Sequence, residues 1–148
     1  SDKGYYRPTQ VAAQQLLAQW QERHPGEKLA WVGGDWAENA MISFYAQPGL
    51  QTVPEMPDGF PAQLAGLGDW RSKQGVLLCA LGQTAQQTPL EDVACVQTAQ
   101  DWLTAQGLPV VPHVLQTQRS GWRFPKPQMF SYVVFDVAPS HTQTKDAQ

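Results

Sequence analysis

Charge is sparse in this chain. Ten Lys and Arg stand against thirteen Asp and Glu in 148 residues, a formal net charge of -3. The bases are scattered singly, so there is no basic face of the kind that neutralises a phosphate backbone, and nucleic acid is not an expected partner. Cysteine is nearly absent. Two residues, Cys79 and Cys95, are too few for a disulfide scaffold and too far apart for a C-x-x-C metal or redox motif. Long apolar runs are missing as well: the best, Phe130 to Ala138, is interrupted by Asp136 and falls well short of the roughly 18 to 20 residues a membrane helix needs. There is no 20-to-50-residue repeat, no G-x-G-x-x-G, no Walker sequence and no G-x-S-x-G elbow. His24, His113 and His141 do not fall at metal-ligand spacing, so neither a metal nor another cofactor is expected. The opening Ser1-Asp2-Lys3-Gly4 has none of the features of a signal peptide, and the chain is expected to be a fragment of a larger protein.

What is present is the material of one folded domain. The chain is 42% hydrophobic, with twelve Gly and twelve Pro to punctuate it, and its length can bury a core without staples. A single domain spanning 1–148 is expected, with flexible ends at about 1–7 and 140–148. Ala13, Leu16, Leu17 and Trp20 fall at i, i+3, i+4 and i+7, the stripe of a helix over Thr9 to Arg23. Thr9 is its expected cap, and His24-Pro25-Gly26 ends it. A strand over Leu29 to Val32 runs into Gly33-Gly34. A second helix is expected over Trp36 to Tyr45, with Asp35 as N-cap and Glu38 completing a capping box. Leu50 to Val53 reads as a strand, Pro54 to Gly68 as a loop and Asp69 to Lys73 as a turn of helix. Gly75 to Leu81 is a continuous apolar strand, the pattern of a sheet covered on both faces. Thr88-Pro89-Leu90-Glu91 signals a helix start, with Val96, Ala99 and Leu103 inward and Gly107 as its cap. Val110 to Gln116 and Phe130 to Val137 close the sheet as an antiparallel pair, with Arg119 to Met129 between them as a loop stiffened by Pro125 and Pro127. The sum is a layered α/β sandwich: a mostly parallel central sheet of about five strands, an antiparallel closing pair and helices on the faces.

Few residues carry chemistry. Gly33-Gly34-Asp35 could expose N–H groups at a helix N-terminus, but Asp35 places a negative charge where an anion would sit, so a tight turn with a capping box is the plainer reading. Cys79 lies in an apolar strand, and Cys95 on a helix expected to pack near it. Two inert buried thiols are the plainer reading and a disulfide the sharper one, which geometry decides. Asp136 interrupts an apolar strand, either as a functional acid or as a residue at a strand end or exposed edge. Six Trp are many for this length. Trp20 and Trp102 fit helical core faces. Trp36, Trp70 and Trp122 stand beside turns with Asp35, Arg71 and Arg123 as neighbours, where an aromatic and a guanidinium can stack on a sugar ring or pack as a lid.

The stretch Leu29-Ala30-Trp31-Val32-Gly33-Gly34-Asp35-Trp36, followed by Asn39 and Phe44-Tyr45-Ala46, resembles the soluble C-terminal domain of bacterial membrane glycosyltransferases related to the aminoarabinose-transferase and protein-mannosyltransferase family. Gly75-Val76-Leu77-Leu78, the helix opened by Thr88-Pro89 and the end from Trp122 through Tyr132 to Pro139 continue the likeness over most of the chain. The resemblance implies an accessory domain on the periplasmic side of the inner membrane. Its partner would be its own membrane domain, which moves a sugar from a polyprenyl-phosphate donor, and it would have no catalytic residue of its own. A lipid-linked sugar or acceptor is a further implied partner. Asp35, Asn39 and Tyr45 match the family's pattern and, with Trp36, Trp122 and Arg123 beside their turns, are the candidate ligand-binding residues, and an oxidising periplasm favours a Cys79–Cys95 bridge. A freestanding carbohydrate- or protein-binding α/β module is the alternative.

Overall fold

In the structure, a computed structural model, residues 3–34, 49–53, 68–82, 89–121 and 124–139 are described. Five strands form one open sheet: β1 (Trp31–Gly34), β2 (Gln51–Val53), β3 (Gly75–Gly82), β4 (Pro112–Gly121) and β5 (Phe124–Val137), in the order β2-β1-β3-β5-β4. β1 runs parallel to both β2 and β3, while β5 lies antiparallel to β3 and to β4. Among the described residues two α-helices, α1 (Lys3–Arg23) and α2 (Ala94–Ala105), cover opposite faces. The expected layered α/β fold is the one that forms.

The period-2 alternation of the strands decides which helix each side chain meets. On β3, Val76 and Leu78 join Ala12, Ala13, Leu16 and Trp20 of α1, whereas Leu77 and Cys79 join Val96, Ala99 and Leu103 of α2. β5 repeats the division, with Tyr132 and Val134 under α1 and Val133, Phe135 and Val137 under α2. Nearly all of these side chains are fully buried, as in a sheet covered on both faces. The stripe Ala13, Leu16 and Trp20 is buried as expected, and Leu17 packs half-buried at its margin.

Both helices differ from expectation at their starts and agree at their ends. α1 begins at Lys3, so Thr9 lies within it and is not its cap. Pro8 lacks the N–H that would reach Gly4, and the helix continues through that one missing bond. The Thr-Pro-Leu-Glu signal opens a 3-10 turn over Leu90–Asp92 instead of an α-helix, closed by Asp92 N–H to Pro89 O at 2.9 Å and Val93 N–H to Leu90 O at 3.1 Å. Val93 then takes an extended conformation, and α2 starts after it without a side-chain cap. At the other end of α2, Gly107 adopts φ 72, while Leu108 N–H reaches Leu103 O at 2.9 Å and Gly107 N–H reaches Thr104 O at 3.0 Å. This pair of bonds is a Schellman cap, completed by the buried Leu108.

The expected loop from Arg119 to Met129 is a correction. β4 and β5 continue through it as a long hairpin, with Thr117 opposite Phe130, Gln118 opposite Met129 and Arg119 opposite Gln128. Pro125 and Pro127 therefore lie inside a strand. The described part of β3 pairs with β5 only as far as Gly82 opposite Ser131, so among the described residues this stretch of β5 has β4 on one side and no strand on the other. Two prolines two residues apart turn their nitrogens to the same side, and an edge without a partner strand tolerates the missing donors. The expected turn at Asp69 to Lys73 is a 3-10 turn over Trp70–Ser72. The second expected helix, over Trp36 to Tyr45, and the loop from Pro54 lie outside the described residues.

Candidate functional site

The residues with a sequence-based claim to ligand contact, Asp35, Trp36, Asn39, Tyr45, Trp122 and Arg123, all lie outside the described residues. What the fold does assemble is a polar cluster that no sequence spacing indicates. Asp136 is near the end of β5, in phase with Tyr132 and Val134, and so turns toward α1. The last residue of α1, Arg23, meets it with a two-pronged ion pair: Nε donates to Oδ2 and Nη2 donates to Oδ1, each at 2.7 Å. His24 Nε2 donates to the same Oδ2 at 2.8 Å, because an ionised carboxylate only accepts. His113 reaches in from β4 and stands 3.9 Å from that oxygen. The side chains of Asp136 and His24 are only 15% and 16% exposed, so these contacts form largely out of water. Trp20 backs the group. Its ring lies 4.2 Å from the His24 ring, and its indole N–H donates to Glu27 O at 3.0 Å across the turn that ends α1.

Burial pushes the Asp136 carboxyl upward, but the hydrogen bonds and charges of Arg23 and His24 outweigh it and hold the group below the usual carboxylate value. His113 moves the same way for other reasons. Burial lowers its pKa most, Arg23 adds to that, Asp136 opposes and His24 again lowers. Both shifts act in one direction on stability. A carboxylate with a depressed folded pKa stabilises the fold above its unfolded value, and that contribution is lost as pH falls through the folded value. A histidine with a depressed folded pKa takes its proton more readily in the unfolded chain, so stability falls once pH drops below about 6.5. The expected result is a urea midpoint that declines as pH falls below about 6.5 and again below about 4, with the first decline absent in His113→Gln. A midpoint flat between pH 7.5 and 5 would contradict the electrostatics of this cluster.

On the opposite face, Trp70 of the 3-10 turn meets Trp102 of α2 with ring centroids 5.1 Å apart. The Arg71 guanidinium covers the Trp70 ring at 4.6 Å and donates to Gln106 Oε1 at 2.6 Å. Trp70 and Trp102 are half-buried against the core beneath α2. Nearby, the sharper of the two readings of the cysteines holds: Cys79 of β3 and Cys95 in the first turn of α2 form a disulfide, with Cα atoms 5.7 Å apart. It ties the α2 layer to the middle of the sheet.

No protein-family model, curated protein or solved structure matches this chain. The site must therefore be argued from its own chemistry. Among the described residues, no group of three His, Cys, Asp or Glu is placed to hold a metal ion, and no helix is long and apolar enough to cross a membrane. In the polar cluster, both oxygens of Asp136 are engaged by Arg23 and His24, which suits holding α1 to the sheet better than moving a substrate's proton. Sequence reading singled out Asp136 but missed Arg23, His24 and His113 as its partners. The available signal was parity: an acid in phase with residues buried under a helix needs a cation from that helix.

Proposed function

We propose that this chain is an extracytoplasmic accessory domain of a polytopic membrane glycosyltransferase that uses a polyprenyl-phosphate sugar donor, and that it has no catalytic role by itself. The observation that carries the reading is the Cys79–Cys95 disulfide, because such bonds form and persist in oxidising compartments such as the bacterial periplasm. The resemblance of the Leu29 to Ala46 stretch to the tails of such enzymes supplies the partner: the enzyme's own membrane domain, with the lipid-linked sugar or its acceptor passing nearby. The engaged carboxylate of Asp136 agrees with a structural role for the most conspicuous acid.

Alkylation of acid-quenched cells producing the protein in its native setting tests the compartment. The expected result is that neither Cys79 nor Cys95 reacts with a maleimide until a reductant is added. Immediate labelling of both would place the chain in a reducing compartment and overturn the proposal. The glycosyltransferase link has a separate test in the parent gene, where several apolar spans joined by acid-bearing outer loops are expected ahead of this domain. A coding sequence lacking such spans would defeat it. The disulfide also has a thermodynamic consequence. Its cysteines are 16 positions apart, and closing a ring of that size stabilises a fold by about 3 kcal/mol. Urea unfolding with and without reductant is expected to differ by about that amount.

A second reading, a carbohydrate-binding module, is favoured by the Trp70–Trp102 pair with Arg71 and Gln106 beside it. Half-buried indoles next to fixed polar groups are the components of a sugar-stacking surface. A panel of sugars in a thermal-shift assay discriminates: stabilisation that is lost in Trp102→Ala would favour this module, and no shift across the panel would remove it.

A further inference from the structure

We propose that Arg23, His24, His113 and Asp136 form a proton-operated latch, which pins the C-terminal end of α1 to β4 and β5 and releases it when His113 is charged. Three features of the geometry lead there. First, the group bridges separate elements: Arg23 closes α1, His24 begins the turn after it, His113 is on β4 and Asp136 on β5. Second, the carboxylate oxygen nearest His113 is already fully engaged. Oδ1 accepts from Arg23, and Oδ2 accepts from both Arg23 and His24, so the His113 nitrogen stands at 3.9 Å, beyond hydrogen-bond reach. Third, among the described residues nothing else negative acts on His113 to receive a new cation. The charged groups acting on it are Arg23 and His24 from the α1 end and Asp136 from β5, and β3 offers only Val76 opposite Asp136.

A proton on His113 therefore adds a second positive charge beside Arg23, facing an oxygen whose two lone pairs are both taken. The cluster is partly buried, so water screens this repulsion poorly. The cheapest relief is movement of the element that carries Arg23. The last turn of α1, held by His24 N–H to Trp20 O at 2.8 Å, can lift from the strand edge while Ala12, Ala13 and Leu16 stay packed further along the helix. The turn from Pro25 to Ala30, which joins α1 to β1, would move with it. α2, on the far face, has no part in the latch.

Hydrogen exchange by NMR on the full chain tests this between pH 7.5 and 5.5, with rates corrected for the intrinsic effect of pH. Exchange at the amides of Gln21 to His24 is expected to speed several-fold on acidification, while Ala99 and Leu103 of α2 hold their protection. His113→Gln keeps a polar side chain that cannot take the proton, and in it the α1 amides are expected to stay protected at pH 5.5. Asp136→Asn removes the anion and is expected to leave the same amides fast at every pH. Wild-type protection that does not change with pH would overturn the latch. So would an equal loss in His113→Gln, or parallel loss in α2, which would mean global acid unfolding and not a local release.

Discussion

Gly34→Ala is expected to destabilise the protein by about 4 kcal/mol or more, enough to leave a domain of ordinary stability largely unfolded. Gly34 ends β1 opposite Leu78 of the central strand β3, with φ 116. An L-residue resists that backbone conformation at a cost of about 1–2 kcal/mol. The larger cost is steric. A Cβ at Gly34 would lie 2.1 Å from the Leu78 carbonyl oxygen and 2.9 Å from its nitrogen. The obstacle is backbone in the middle of the sheet, where Leu78 is itself paired to Val134 of β5, so it cannot give way without separating strands. Gly26→Ala is the control. It shares the left-handed φ, at 76, but none of the described residues lies within 4 Å of its added Cβ, so its cost is expected to stay at about 1 kcal/mol, the backbone strain alone. Urea titrations followed by circular dichroism would compare the two. Equal costs would mean that the close approach of β1 to β3 is absent in solution.

The same residue shows what sequence can and cannot reveal. Two glycines after a short apolar strand signal a special backbone, and that much is legible in Gly33-Gly34. That the constraint comes from Leu78, on a strand that begins some forty residues later, depends on strand order, which local pattern does not encode. The faces of the sheet were legible for a similar reason. Apolar identity at Val76 through Cys79 needs no alternation when both sides are covered, and the length of the run implies helices on each face. Hairpin length was misread, because proline scores as loop wherever it occurs. Pro125 and Pro127 sit on a stretch of β5 that has no second neighbour among the described strands, a fact of topology and not of composition. The polar cluster is the extreme case. Arg23 and Asp136 are separated by 113 positions, and neither is unusual until α1 is laid across β5. The disulfide is intermediate: its partners were identifiable by elimination, but only the packing of α2 on β3 chooses between a bond and two buried thiols.

Trp20→Ala is expected to cost about 4 kcal/mol, within the range for deleting a large buried aromatic. Trp20 is fully buried, the largest side chain α1 contributes to its face of the sheet. Its truncation would leave an indole-sized void in the cluster it shares with Val32, Val76 and Leu78, strand residues that cannot collapse inward while hydrogen-bonded to their neighbours. It would also strip the Glu27 carbonyl of the indole N–H and remove the ring that packs, tilted, against His24. Trp20→Phe separates these contributions. It keeps most of the apolar volume and loses the donor, so its cost is expected to be nearer 1–2 kcal/mol, about the worth of one buried hydrogen bond left unmade plus a small void. Chemical denaturation of the two variants at pH 7.5 gives the comparison. A cost below about 1 kcal/mol for Trp20→Ala would show that α1 rests on the sheet without completing its core. A cost near 4 kcal/mol makes α1 integral to the fold. Opening of the latch at Asp136 must then stop at the last turn of the helix, because anything further would expose Trp20 and unfold the domain.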